Sequence, residues 1–168
     1  METSPEPRPL DPLVKIALTL CIGLIIITVV GMILTAPDRS IPPYSVMAQN
    51  GENVTVNVPP RTTAPEIEAL LVRFQAAGHG NRDGFAHLKI KPTTPGDPAG
   101  RYQRVTIYVF DNAGLADESS LNDYMRGADP LAQSSFERGV RGIYRLTTGT
   151  EFAAMGSKII FQGRAGGG

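Results

Sequence analysis

The stretch TAPEIEALLVRFQAAG, from Thr63 to Gly78, carries the clearest structural signal in the chain. Thr63 followed three residues later by Glu66 is a capping box, and Pro65 lies in the first turn, where a helix tolerates proline. Gly78 is interpreted as the C′ residue that ends the helix. The apolar positions follow the i, i+3, i+4, i+7 rule and are Ile67, Leu70, Leu71 and Phe74. The stretch therefore predicts an amphipathic helix that packs on a sheet.

The segments around this helix alternate apolar and polar residues with the period of a β-strand. Strands are predicted at NVTVNV (53–58), FAHLKIK (85–91) and YQRVTIYVF (102–110), of which the last is apolar on both faces toward its end and is expected to be central. A second helix is indicated at 117–127, a hairpin turning at Thr148–Gly149 within 139–156, and a last strand at 157–163. The sequence predicts a small α+β domain over 50–162, with one main helix on a mostly antiparallel sheet.

The apolar run VKIALTLCIGLIIITVVGMILTAPDR, from Val14 to Arg39, has no charged side chain between Lys15 and Asp38. As a helix, Ile16 to Ala36 would extend about 30 Å, the thickness of a bilayer core. The run predicts an N-terminal transmembrane helix over 14–36. It is preceded by a proline-rich tail over 1–13 and followed by a proline-containing connector over 37–49, and a glycine-rich tail is predicted over 163–168.

Two other interpretations of the apolar run are a cleaved signal peptide and a lipid-attachment site. A signal peptide has a shorter apolar region followed by an A-x-A-like site, whereas this run ends in LTA with Pro37 directly after it. The segment LTLC resembles a lipobox, but Leu20 precedes Cys21 where a small residue is typical, and the apolar run continues beyond it. A retained single-pass anchor is the favoured interpretation.

The basic residues that flank the run predict its orientation. Arg8 and Lys15 precede it, and Arg39 follows it. Because basic residues remain on the cytoplasmic side, this bias predicts a cytoplasmic amino terminus and a periplasmic domain, at the inner membrane of a bacterium. The bacterial assignment rests on the excess of arginine over lysine together with many glycine, alanine and proline residues.

Small and weakly polar residues are collected on one side of the predicted helix. They recur at spacings of three and four and fall within about 80° of one another. This stripe consists of Ala17, Cys21, Leu24, Thr28, Gly31 and Thr35. Small residues allow a close approach of another helix, so the stripe is interpreted as a packing surface for a partner subunit or a second copy. The alternative is that such residues are simply common in spans.

Composition and motifs exclude several function classes. Acidic and basic residues balance at 16 each, which does not favour nucleic-acid binding. The single cysteine cannot form an intramolecular disulfide. The loop GHGNRDG (78–84) follows a helix and misses the dinucleotide pattern, so it is interpreted as a turn, and its His79 and Asp83 make a poor ion site. No catalytic, cofactor or metal site is predicted, and no family is recognised.

Two sets of residues are candidates for contacts with other molecules. Arg138, Arg141 and Arg145 could contact an acidic partner surface or lipid headgroups, although a solvated strand face is the favoured interpretation. His87, Tyr108 and Phe110 are the candidates for a ligand site on the open face of the sheet.

The leading functional hypothesis is a non-catalytic accessory subunit of a larger membrane complex, with transmembrane partner subunits and the lipid bilayer as its surroundings. The helix would pack within the membrane, and the domain would cap the complex at its surface. Photosynthetic and respiratory assemblies provide the analogy. The alternative is a stand-alone membrane-anchored module that binds a peptide or small ligand outside the cytoplasm. An enzyme with unfamiliar catalytic residues is the least favoured hypothesis.

Overall fold

The computed structural model describes residues 12–35, 41–79, 84–93 and 104–164. The chain divides into two compact units, Met1–Asp38 and Arg39–Gly168. The helices are α1 (Pro12–Thr35), α2 (Ala64–His79), α3 (Gly84–His87), α4 (Ala113–Ala116), α5 (Glu118–Arg126) and α6 (Pro130–Gly139). The strands are β1 (Ser45–Asn50), β2 (Asn53–Asn57), β3 (Val105–Phe110), β4 (Gly142–Leu146), β5 (Thr150–Met155) and β6 (Lys158–Arg164).

The first unit contains α1, a helix of 24 residues. Within the described part of the chain, no helix is both long enough and apolar enough to cross a membrane. This finding contradicts the predicted transmembrane helix over 14–36, and with it the single-pass inner-membrane location and the periplasmic domain.

The second unit is an α+β domain built on a six-stranded sheet in the order β1-β2-β3-β4-β5-β6. Neighbouring strands are antiparallel except β2 and β3, which are parallel and are joined by a crossover that contains α2. All six residues of β3 are buried, which confirms the expected central strand. The mostly antiparallel sheet, the hairpin of β4 and β5 and the last strand are also confirmed.

Helix α2 forms where the sequence predicts it. The Glu66 carboxylate accepts hydrogen bonds from both the backbone N–H and the hydroxyl of Thr63, each at 2.7 Å. Ile67, Leu70, Leu71 and Phe74 are buried, as expected. Their partners in the main core are inward-facing residues of β2, β3, β4 and β5, together with Phe85, Leu88 and Ile90. Unlike the prediction, the helix continues to His79.

A layer of three helices covers the other face of the sheet. A second core forms there from Ala48, Tyr108, Phe110, Ala116, Leu121 and Phe136. Helix α5 confirms the predicted second helix, whereas α4 and α6 are not predicted. Each of the three helices begins with an Asx cap, because Asn112, Asp117 and Asp129 accept a backbone N–H of the following turn.

Two segments differ from the sequence prediction. The segment predicted as a strand at 85–91 contains the short helix α3 and the turn after it, and Phe85, Leu88 and Ile90 are the buried residues. The segment predicted as a connector at 37–49 contributes most of β1. An Asn50–Gly51 turn with a positive φ of 58° at Gly51 joins β1 to β2.

Candidate functional site

Of the described residues in the predicted α1 stripe, Cys21, Leu24 and Thr28 are exposed and Gly31 is partly exposed. Leu24 is 67% exposed and Cys21 is also exposed. The Thr28 hydroxyl donates to the Leu24 carbonyl at 2.8 Å, so its hydrogen is used within the helix. The side chains of Ala17 and Thr35 lie outside the described residues.

The three arginines do not form one cluster. Arg138 donates to the Ser134 carbonyl within α6 at 3.0 Å. Arg141 forms a partly buried ion pair with Asp111 at the end of β3. Arg145 is exposed on β4, opposite Thr106 in the register. Arg138 and Arg141 therefore have internal partners that account for their position, and Arg145 interacts with the Tyr108 phenol.

The proposed ligand-face residues are separated by the sheet. Tyr108 and Phe110 are buried beneath α5 and α6, where Phe136 packs edge-on against both rings at centroid distances of 5.3 and 4.8 Å. Burial is the main reason why the pKa of Tyr108 is raised to about 12, and Tyr124 raises it further. His87 is exposed on α3, which belongs to the main core on the opposite side of the sheet. The face that carries Tyr108 and Phe110 is covered by helices.

His87 instead lines a groove of about 540 Å³ beside β1. One wall is the stretch from Tyr44 to Gln49, and the other contains His87, Leu88, Lys89 and Lys91, with Glu118 at the side. At one end, the Gln49 carboxamide bonds to the backbone of Lys91, accepting from its N–H at 2.9 Å and donating to its carbonyl at 3.0 Å. We call this feature the β1 groove.

Sequence reasoning missed the β1 groove because it assigned Tyr44 to Gln49 to a connector. The available signal was the Asn50–Gly51 pair, which commonly joins two strands of a hairpin and implies a strand before it.

A buried carboxylate forms the second polar feature of the domain. Glu151 on β5 is only 2% exposed. Its Oε1 accepts from the Tyr144 hydroxyl at 2.7 Å, and its Oε2 lies 2.6 Å from His79 Nε2 and accepts from Gln75 at 3.3 Å. Burial, followed by the bond to Glu151, raises the pKa of the Tyr144 phenol well above its usual range. Three partners from α2 and β4 thus compensate the carboxylate for its lost hydration.

The Glu151 cluster explains the position of His79 without a ligand. Asp83, the other residue considered for an ion site, lies outside the described residues. In the described part of the chain, the hydrogen bond that His79 forms is the one to Glu151. No group of three or more potential metal ligands occurs among the described residues.

Comparisons with known proteins give no relationship for this chain: no family model, no curated protein and no solved structure matches it.

Proposed function

We propose that this chain is a non-catalytic accessory subunit of a larger protein complex, in which α1 packs against helices of partner chains. The observation that supports the proposal is the exposure of large apolar side chains on all sides of α1. Leu20, Leu24, Ile27 and Met32 are each between 67% and 71% exposed, and Ile22, Ile25, Ile26 and Val29 are about half exposed. A helix that is apolar on every side is stable in water only when something covers it.

The chain offers a matched pair of substitutions for testing how α1 packs. Gly31 lies on the small-residue stripe, whereas Gly23 lies about 120° from the centre of that stripe. A Cβ at either glycine would meet nothing within 4 Å, so neither Gly31→Leu nor Gly23→Leu introduces a clash inside the chain. A difference between the two variants would therefore report contacts with another chain.

The experiment is a native-mass measurement on the full chain, tagged after Gly168 and isolated under non-denaturing conditions. We expect the wild type and Gly23→Leu to purify with fixed partner chains, and Gly31→Leu to lose them because leucine prevents close helix approach. A wild type that purifies alone, as a dimer, or with lipid but no partner chain would contradict the proposal. Unchanged partners in Gly31→Leu would contradict the role of the stripe.

A second candidate function is peptide or small-ligand binding by the domain. The β1 groove favours it, because a volume of about 540 Å³ is within the range of about 300–1,000 Å³ typical of ligand sites. The test is saturable binding at this groove, and its design depends on the ligand class.

A further inference from the structure

We propose that the β1 groove binds an extended peptide with acidic side chains, which adds to the sheet as a strand beside β1. This inference names the ligand class of the second candidate function and depends on it. It is independent of the packing of α1.

The free edge of β1 provides the backbone partner. Strand β1 is the terminal strand of the sheet, and no described strand pairs with its outer side. Unpaired N–H and C=O groups on an edge strand are a template for another extended segment. At one end of the groove, the Gln49 side chain bonds to the Lys91 backbone.

The basic residues on the groove wall opposite β1 favour an acidic peptide. His87, Lys89 and Lys91 are all exposed, and Glu118 is the acidic residue that lines the groove with them. Neither lysine forms an ion pair with a described residue. A partner strand that carries carboxylates at alternate positions presents them on one side, where they can face these lysines.

Lys89 has an unusual backbone conformation. Its φ is 62°, and it is the only non-glycine residue in the described part of the chain with a positive φ. It occupies the C′ position of a Schellman motif after α3, in which Ile90 N–H bonds to the Phe85 carbonyl and Lys89 N–H to the Ala86 carbonyl. Glycine is the favoured residue at C′ because a Cβ is disfavoured there. A lysine in this position keeps a cation at the groove despite the backbone strain.

The outer edge of β1 also limits how long a paired peptide strand can be. The pairing of β1 with β2 shifts register between Val46 and Ala48, so Met47 is bulged and 41% exposed. A bulge interrupts the regular edge and leaves only short runs for pairing. Charge contacts therefore contribute a large share of the affinity, which should fall with added salt.

The experiment uses the full chain and three fluorescent octapeptides: alternating glutamate and valine, alternating lysine and valine, and alternating glutamate and proline. The third peptide keeps the charge but lacks the N–H donors at every second position. Fluorescence anisotropy should show saturable binding of the glutamate–valine peptide only. Equal binding of the glutamate–proline peptide would overturn strand addition, and no binding of the glutamate–valine peptide at millimolar concentration would overturn the site.

Two variants and a matched control identify the place of binding. Lys89→Gly relieves the backbone strain and removes one cation, and Lys91→Ala removes the other. Lys158→Ala, which removes a lysine on β6 that pairs with Glu68 at 2.7 Å, is the control. We expect each groove variant to weaken binding roughly 3-fold and the control to leave it unchanged. Equal affinity of both groove variants and the wild type would overturn the proposal.

Hydrogen exchange shows which terminal strand of the sheet binds the peptide. Together with Gly31→Leu, it also separates peptide binding from the packing of α1. The glutamate–valine peptide should slow exchange in Ser45–Asn50 and leave Lys158–Arg164, the other terminal strand, unaffected. Protection of β6 alone would overturn the assignment, as would protection of β1 by a second copy of the chain without peptide. Gly31→Leu should bind the peptide normally, so failure of partner assembly and failure of peptide binding are separate results.

Discussion

Gly78 allows α2 to lie unusually close to β4. A Cβ at this position would lie 2.5 Å from the Tyr144 hydroxyl, 3.4 Å from Glu151 Oε1 and 3.6 Å from Phe85 Cζ. Only the first distance is prohibitive, because real Cβ contacts are essentially never shorter than 3.0 Å. The position of one hydroxyl, held by Glu151, therefore determines which residue is tolerated on the neighbouring helix.

We expect Gly78→Ala to destabilise the domain by about 1–3 kcal/mol through overpacking, although alanine is the better helix former. In a Tyr144→Phe background the clashing oxygen is absent, so adding Gly78→Ala should cost almost nothing. Urea unfolding of the wild type, both single variants and the double variant measures this coupling. Equal costs of Gly78→Ala in the two backgrounds would contradict the close approach.

At the residue level, part of the packing around α2 and Glu151 can be predicted from the sequence. Thr63, Glu66 and the four buried residues of α2 are local signals, and the structure confirms them. The burial of Glu151 also has a local signal in the sequence. Alternation along β5 places Glu151 on the same inward face as the buried Ala153. Its partners His79 and Gln75 cannot be predicted locally, since they are more than 70 residues away.

At the level of elements, α6 anchors the helical layer through a single large side chain. Phe136 is 2% exposed, stacks on Tyr124 at a centroid distance of 4.2 Å and packs edge-on against Tyr108 and Phe110. Leu131, on the same helix, is 76% exposed. Most of the stabilisation that α6 contributes is therefore concentrated at Phe136.

We expect Phe136→Ala to lower the free energy of unfolding by about 3–5 kcal/mol, because it removes a buried ring and leaves a cavity. Leu131→Ala is the control on the same helix and should change it by less than about 0.5 kcal/mol. Chemical denaturation followed by circular dichroism measures both. Similar effects of the two variants would show that the second core is not packed around Phe136.

The sequence prediction differs from the structure at α3 and α6 for identifiable reasons. In FAHLKIK, the alternating Ala86, Leu88 and Ile90 satisfy the strand pattern, yet one helical turn followed by a left-handed residue buries Phe85, Leu88 and Ile90 instead. In α6, few large apolar residues mark a helical face, so the capped start at Asp129–Pro130 was the only strong signal. A short element is fixed by tertiary burial, which a local pattern does not contain.

For the molecule as a whole, buried phenols predict sensitivity to alkaline pH. Burial is the main cause of the raised pKa of Tyr44, Tyr108 and Tyr144. A group whose pKa is higher in the folded state stabilises that state below its unfolded pKa and loses this contribution as pH rises. For Tyr108, the loss should occur as pH rises from about 10 to about 12.

We therefore expect the free energy of unfolding to fall as the pH rises above about 10, and to fall less steeply in Tyr108→Phe, which has no phenol to ionise. Urea titrations at successive alkaline pH values test this, with tyrosinate absorbance as an independent readout. A wild type and a variant with identical pH dependence would contradict the assignment to Tyr108.

The single parallel pair in the sheet has a consequence for the order of folding. Short turns join β1 to β2, and β4 to β5 to β6, so these are two pieces formed by local pairing. β3 lies between the two pieces, and its pairing of Thr106 with Asn53 of β2 closes a loop of roughly 50 residues that contains α2. Closing it costs configurational entropy before its contacts form, so each piece can form early while their docking comes late. The β1–β2 hairpin, which forms one wall of the β1 groove, is thus joined to the rest of the sheet by the longest connection between consecutive strands.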